Sequence, residues 1–357
     1  MITVIMPENQ SQSQQCQKKA GTRMEQTLLK ALEESGFDYN FITTSSGFDE
    51  AELKGRKLIF AIALNEGGEN VEYYKILGIL RRDPDKLEGC VAGLIIDGKG
   101  PLYTKSVARH LGLAVNNSGS TILGKGLVEA TGNLDNFHIL AETAHISCQE
   151  AYKKAVSILI GKLHCYQRPA KRRKKLLVLH SSERTTSNSL MLWDYVKGLL
   201  PPDKYEITEI SLRDGQVIDC RGCSYETCIH LGEQGQCFYG GIIVEQVYPA
   251  MIDADIVMLV CPNYNDALGA HLTAYINRLT AIFRCHDFSN KEIRAIIVSG
   301  YSGGDIVAEQ IMGAMCFNKS MLLPPRFVLM ETAHNPMSVM ELEGIKGRIE
   351  SFLRDMI

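Results

Sequence analysis

The sequence predicts an α/β protein of two tandem domains, each a doubly wound sheet of five parallel strands flanked by helices. Three observations point there. Short, wholly apolar runs alternate with amphipathic stretches through both halves, as expected of parallel strands buried on both faces by crossover helices. Near the middle, Pro169-Ala170 precedes five consecutive basic residues, 171–175, a stretch that cannot pack in a core without partners and reads as a solvated connection. The halves also match one another, ungapped, at an offset of 202 residues: Gly98 with Gly300, Asn116 with Asn318, Ser118 with Ser320, Leu127 with Leu329, Glu129 with Glu331 and Asn133 with Asn335. Self-similarity of this kind indicates duplication of a whole domain. The expected division is a first domain at 1–166, a basic linker at 167–175 and a second domain at 176–357.

In the second half, residues 176–179 (Leu-Leu-Val-Leu) form a short apolar strand followed by a Ser/Thr-rich loop. Residues 188–200 carry Leu190, Trp193, Val196 and Leu200 at helical spacing and stop at Pro201-Pro202. Residues 205–212 alternate as a half-buried strand, and 256–261, 293–298 and 327–330 are further apolar strands, with a closing helix at 339–353. Five such units suit the flavodoxin-like strand order, whose ligand crevice lies beyond the carboxyl ends of the strands. The first half repeats the plan, with strands at 2–6, 38–43, 58–64, 91–96 and 126–130.

Hydrophobic residues make up 45% and charged residues 22% of the 357, a globular balance too apolar for a disordered chain. A net charge of -3 gives no global pull toward nucleic acid or an anionic membrane, although the basic run by itself could meet nucleic acid or an acidic redox partner. No apolar run reaches membrane-spanning length, and the opening MITVIMPENQ lacks the pattern of a signal peptide, so a cytoplasmic protein is expected. Its eleven cysteines then read as reduced thiols or metal ligands.

Chemistry concentrates in three loops of the second half. His180 to Ser189 runs directly into a helix, and its hydroxyls, backbone N–H groups and Arg184 suit a phosphate monoester; an ordinary Ser/Thr turn capped by Ser187 or Asn188 would look the same. Cys261-Pro262-Asn263-Tyr264 ends a strand and sets a flat side chain at the crevice mouth, or else Tyr264 is simply half-buried packing. Gly300-Tyr301-Ser302-Gly303-Gly304 lets backbone approach a ligand, or is a plain turn.

Together these loops resemble the NADPH-dependent FMN reductase branch of the flavodoxin-like superfamily, which includes the iron–sulfur flavoproteins. Ser182, Arg184, Ser187, Asn188 and Ser189 match that family's Gly-Ser-x-Arg-x-x-Gly/Ser-Asn-Ser/Thr phosphate motif, with Ser181 in place of the glycine. Pro262-Asn263-Tyr264 followed by Asn277-Arg278 resembles its Pro-x-Tyr … Lys-x-x-x-Asp-Arg segment, with Thr273 and Asn277 replacing lysine and aspartate. The resemblance implies FMN, its phosphate on Ser182 to Ser189 and its ring near Pro262, Asn263, Tyr264, Gly300, Ser302, Gly303 and Gly304. It implies an FMN-dependent oxidoreductase that takes electrons from NAD(P)H or a ferredoxin-like donor and passes them to a quinone, a flavin or a bound cluster. Subunits of the family commonly associate as homo-oligomers. No catalytic acid or base is expected, and no G-x-G-x-x-G fingerprint marks a separate nicotinamide site.

The same family often carries cysteines after its second strand, and here Cys220, Cys223, Cys228 and Cys237 fall there. Four thiolates could hold a [4Fe–4S] cluster or zinc, while gaps of two, four and eight residues, looser than in iron–sulfur flavoproteins, equally suit free thiols or a redox pair at Cys220 and Cys223. The other seven (Cys16, Cys90, Cys148, Cys165, Cys261, Cys285, Cys316) read as core fillers. The first half has Pro7-Glu8-Asn9-Gln10-Ser11 for the phosphate loop and Leu64-Asn65-Glu66 for the Pro-Asn-Tyr segment, so it reads as a copy that has lost FMN and serves packing, assembly or substrate gating. Its Asp97-Gly98-Lys99-Gly100 reads as a turn, or as a contact to a ligand in a neighbouring subunit. Two other classes stay open: an FMN electron carrier working with a protein partner, and a zinc-holding scaffold whose flavin site is empty.

Overall fold

A computed structural model describes residues 1–8, 21–168, 174–183, 185–213 and 215–357. Cys16, the basic stretch at 169–173 and Arg184 lie outside the described residues. The chain divides into two compact units, Met1–Arg168 and Pro169–Ile357.

The first unit contains β1 (Ile2–Ile5), α1 (Arg23–Ser35), β2 (Tyr39–Ile42), α2 (Ser45–Glu50), β3 (Lys57–Ala63), α3 (Val71–Arg82), β4 (Val91–Asp97), α4 (Thr104–Asn117), β5 (Thr121–Ala130), α5 (His138–Ala144) and α6 (Cys148–Cys165). Its five strands are all parallel in the order β2-β1-β3-β4-β5. Central β3 is covered on both faces: Leu58, Ile59, Phe60, Ala61 and Ile62 are fully buried. Each large apolar side chain so buried contributes about 1.5–3 kcal/mol, which is why an unbroken apolar run settles into the middle of a sheet. Helix ends are closed by side chains, as where Ser147 and Glu150 form a reciprocal cap on α6.

The second unit contains β6 (Lys174–His180), α7 (Asn188–Leu199), β7 (Tyr205–Ser211), α8 (Tyr225–Glu233), a π-helix (Ile243–Val247), α9 (Tyr248–Asp253), β8 (Ile256–Pro262), α10 (Ala270–Arg278), α11 (Thr280–Phe283), β9 (Glu292–Ser299), α12 (Gly304–Ile311), a second π-helix (Met312–Asn318), β10 (Val328–Thr332) and α13 (Ile345–Leu353). Its strands are again all parallel, in the order β10-β9-β8-β6-β7. Renumbered within each unit, both sheets read 2-1-3-4-5, so the fold expected from the sequence is the fold observed, twice. The self-matched residues fall on corresponding places: Leu127 and Glu129 on β5 against Leu329 and Glu331 on β10, Gly98 and Gly300 just past β4 and β9. No helix among the described residues is long and apolar enough to cross a membrane.

Cys165 and Cys285, read as core fillers, are exposed, and three expected element boundaries differ from the structure, each for a physical reason. Lys174 and Lys175, read as linker, open β6, because Glu292 accepts from Lys174 Nζ at 2.6 Å and Asp253 accepts from Lys175 Nζ at 2.7 Å. Strand β5 starts at Thr121 rather than 126, since pairing with β4 carries it past an irregularity between Ala92 and Leu94 and past Lys125 at φ +51°. The helix expected over 339–353 breaks into a 3-10 turn (Val339–Glu341) and α13, with Gly344 at φ +71° capping the second piece.

Candidate active site

A parallel sheet carries every strand-to-helix loop to one edge, so the loops after β6, β8, β9 and β10 share the carboxyl edge of the second sheet. Hydrogen bonds then join them. Asn263 donates its backbone N–H to Val298 O at 2.9 Å, and its Nδ2 donates to Ser302 O at 2.9 Å, Ser299 Oγ at 3.1 Å and Asp266 Oδ1 at 3.3 Å. One side chain thus binds the loop after β8 to the turn after β9. Gly303 is what permits this approach: it sits at φ +85°, and a Cβ there would lie 1.8 Å from Asp266 Oδ1. Gln310 of α12 adds two contacts, accepting from Leu268 N at 3.1 Å and donating to Asp266 O at 3.1 Å.

The loop after β6 is held from its other side. Ser187 caps α7 by accepting from Leu190 N at 3.2 Å. Asn188 donates Nδ2 to Asn335 O at 2.7 Å and Ala333 O at 3.3 Å, and its Oδ1 accepts from Val339 N at 3.1 Å. Both ends of that amide are therefore committed to joining the first loop to the segment after β10. Ser189 is buried. A Cβ at Gly269 would lie 3.8 Å from Ser181 Oγ, which brings the first and second loops together.

Besides His180 Nδ1 at the end of β6, two polar atoms in this region are buried without a partner among the described residues, Ser182 Oγ and Asn263 Oδ1. A buried unpaired group of this kind costs about 1–3 kcal/mol, so both invite a ligand. Ser182 supplies a hydroxyl on the loop that leads into α7, and Asn263 offers an acceptor between two loops. Around them stand exposed aromatic side chains: Tyr264 is 62% exposed and Tyr301 78% exposed, the latter edge-on to His334 with ring centroids 5.2 Å apart. The donor set fits FMN at these points. Of the residues singled out from the sequence, Pro262, Asn263, Tyr264, Gly300, Ser302, Gly303 and Gly304 lie on the two interlocked loops, and Ser182, Ser187, Asn188 and Ser189 on the adjoining one; Arg184 lies outside the described residues. Sequence reasoning passed over Asp266, Gln310 and His334. Only the last had a signal, since it directly precedes the self-matched Asn335.

The cysteine loop is different. Cys220 and Cys223 are exposed, and Cys228 and Cys237 are half-buried. Burial pushes the Cys228 thiol up, Arg284 draws it back, and Cys237, Cys220 and Cys223 push it further up, so the four lie in one neighbourhood. Among the described residues, however, no group of three or more His, Cys, Asp or Glu side chains is placed to hold a metal ion. The unequal gaps spread Cys220, Cys223, Cys228 and Cys237, the expected metal ligands, over a loop, the first turn of α8 and the segment beyond it.

In the first unit the corresponding edge holds a cleft of about 100 Å³ between the loops after β3 and β4, lined by residues that include Asn65, Glu66, Gly98, Lys99 and Tyr103. Beside it Arg23 clasps Asp97 with Nη2 to Oδ1 at 2.6 Å and Nε to Oδ2 at 3.1 Å, and donates Nη1 to Gly132 O at 2.6 Å.

Residues 174–335 match the family described as NADPH-dependent FMN reductase. Among solved structures, RosB with its bound intermediate 8-demethyl-8-formylriboflavin-5'-phosphate is similar at 14% identity over 51% of this chain and 75% of that one, with a TM-score of 0.40. An NAD(P)H:quinone oxidoreductase from Methanothermobacter marburgensis is similar at 12% identity over 51% and 97%, TM-score 0.38. An FMN-dependent NADH-azoreductase from Bacillus anthracis str. Ames Ancestor, in complex with FMN, is similar at 14% identity over 51% and 100%, TM-score 0.34. Comparison with curated proteins finds no match. The sheet from β6 to β10 and the loops at its carboxyl edge all fall within the segment that is similar to the NADPH-dependent FMN reductase family.

Proposed function

We propose that the protein is an FMN-dependent reductase that takes electrons from NAD(P)H and delivers them to a small acceptor such as a quinone or a second flavin. The observation that carries this reading is the pair of buried atoms without a partner among the described residues, Ser182 Oγ and Asn263 Oδ1, on adjoining loops of a unit that matches an FMN reductase family. When bound, the flavin would supply the redox chemistry. The chain's own residues would do the rest. Ser182 Oγ, the hydroxyl of Ser187 and the backbone N–H groups of 187–189 would hold the phosphate, with Arg184 adding a forked charged contact. Asn188 would contribute backbone only, because its amide is already engaged on both sides. Asn263 and the 300–304 turn would meet the ring edge with preorganised dipoles, and exposed Tyr264 would offer a flat wall.

The test is spectral and kinetic. Protein purified under anaerobic conditions and reconstituted with FMN should show bound-flavin absorption and oxidise NADH or NADPH continuously when a quinone is added. Retained flavin without turnover makes the protein an electron carrier instead. Failure to retain flavin removes both and leaves the scaffold reading, which zinc analysis of the same sample then decides. Self-association and residence in the cytoplasm belong to the same proposal, and sizing of the FMN-loaded protein checks the first.

A further inference from the structure

Between β7 and the first π-helix the chain makes an excursion, residues 215–241, that carries all four clustered cysteines. Its two stems meet: a Cβ at Gly215 would come within 2.8 Å of Ile242 Cβ, and one at Gly241, where φ is +74°, within 2.4 Å of Gln216 O. Arg278, the last residue of α10 and 2% exposed, reaches across this base. Its Nη2 donates to Gly240 O at 2.9 Å on the outgoing stem and its Nη1 to Ile218 O at 3.3 Å on the incoming one. Tyr248 fixes the same residue from behind, donating its hydroxyl to Arg278 O at 2.5 Å. Next to it, exposed Asn277 donates Nδ2 to Asp219 Oδ1 at 2.9 Å, the oxygen that also accepts the backbone N–H of Cys220 at 2.7 Å. Further along, Arg284 lies over the Tyr225 ring at 4.1 Å and secures the start of α8.

We infer that Arg278 and Asn277 are positioning residues for the cysteine loop, closing residues 215–241 at the base and thereby setting Cys220 and Cys223 toward solvent while Cys228 and Cys237 stay half-covered. A planar guanidinium is suited to the task, since its rigid fork presents two separate nitrogens to carbonyls on the two stems, whereas a lysine ammonium is a single point donor on a flexible chain. This goes beyond the flavin reading and does not depend on it, because no flavin contact enters the argument.

The experiment is site-resolved alkylation of the reduced, full-length protein with iodoacetamide, followed by mass spectrometry. Each thiolate forms a carbon–sulfur bond as iodide leaves, and the thiol proton goes to solvent. In the unaltered chain Cys220 and Cys223 should react faster than Cys228 and Cys237. Asn277→Ala, a surface change, should speed the slow pair about threefold, in line with loss of one exposed hydrogen bond. Arg278→Lys should speed them by about tenfold or more. Fully buried Cys261 and Cys316, in the core of the same unit, are the control and should stay slow. Unchanged rates at Cys228 and Cys237 in Asn277→Ala overturn the inference, as does equal acceleration of Cys261 and Cys316, which would mean general loosening. If Arg278→Lys does not fold, the Asn277→Ala rates decide alone.

Discussion

Arg23 and Asn188 stand at the same place in two copies of one topology, and they are put to different use. Each is the first residue of the helix after the first strand of its sheet, and each reaches the segment after the fifth strand, through Gly132 O in one case and Ala333 and Asn335 O in the other. Arg23 also takes Asp97 at the end of β4, so the first unit fills its carboxyl edge with its own ion pair. The corresponding strand end in the second unit is Ser299, a neutral hydroxyl shared with Asn263, and nearby polar atoms are left unpaired. Tyr103 at φ +74° and Gly303 at φ +85° hold the same left-handed position at the caps of α4 and α12, one carrying a ring that lines the first unit's cleft, the other no side chain. A shared fold therefore does not carry a shared site; the loops decide it.

The sharpest break in this comparison is ligand protection. Adding FMN to the full chain should slow amide exchange in the segments around 181–189, 263–269 and 300–304 and leave the first unit unchanged; protection at 65–70 or 98–103 would show that the first unit kept its site. Next in size, Gly303→Val would have to place a branched side chain at a positive φ against Asp266, costing about 3 kcal/mol or more and emptying the flavin site. Tyr103→Gly, the reverse change in the first unit, should shift denaturation by less than about 1 kcal/mol. Breaking the ion pair by Asp97→Ala should cost about 3 kcal/mol because Asp97 is nearly buried, whereas Ser299→Ala should cost about 1 kcal/mol; equal losses by chemical denaturation would erase the distinction drawn here.

Two smaller effects refine it. Ser182→Ala should weaken FMN binding about tenfold with little change in protein stability, as for one hydrogen bond to a charged group; unaltered affinity by flavin titration removes Ser182 from the phosphate site. In the first unit, hydrogen bonds from Lys75 Nζ and from the backbone N–H of Ser45 hold the Glu72 carboxyl at about 2, below its ordinary 4.5. A lowered folded value contributes stability that is complete above the ordinary value and disappears as pH falls through about 2. Glu72→Gln should therefore flatten the acid side of the unfolding curve between about pH 4.5 and 2, read by circular dichroism.

Much of this was legible in one dimension. Buried parallel strands demand unbroken apolar runs, so β3, β8 and β9 announced themselves, and two of the matched pairs, Leu127 with Leu329 and Glu129 with Glu331, fall on corresponding strands. Hydroxyl-rich and glycine-rich loops marked the crevice because phosphates and close backbone approach favour those residue types. The misreadings come from interactions between distant residues. Lys174 and Lys175 looked solvated until Glu292 of β9 and Asp253 of α9 arrived, and β5 ran through glycines because β4 held it there.

Residue type and spacing were enough for strand, helix and the repeated strand order, since these depend on local periodicity. Partnership was settled only by the folded chain. Whether four cysteines converge, whether Asn188 is free to touch a phosphate and why Arg278 is buried all turn on contacts between segments far apart in sequence, and those distances are set by how the sheet brings its loops together.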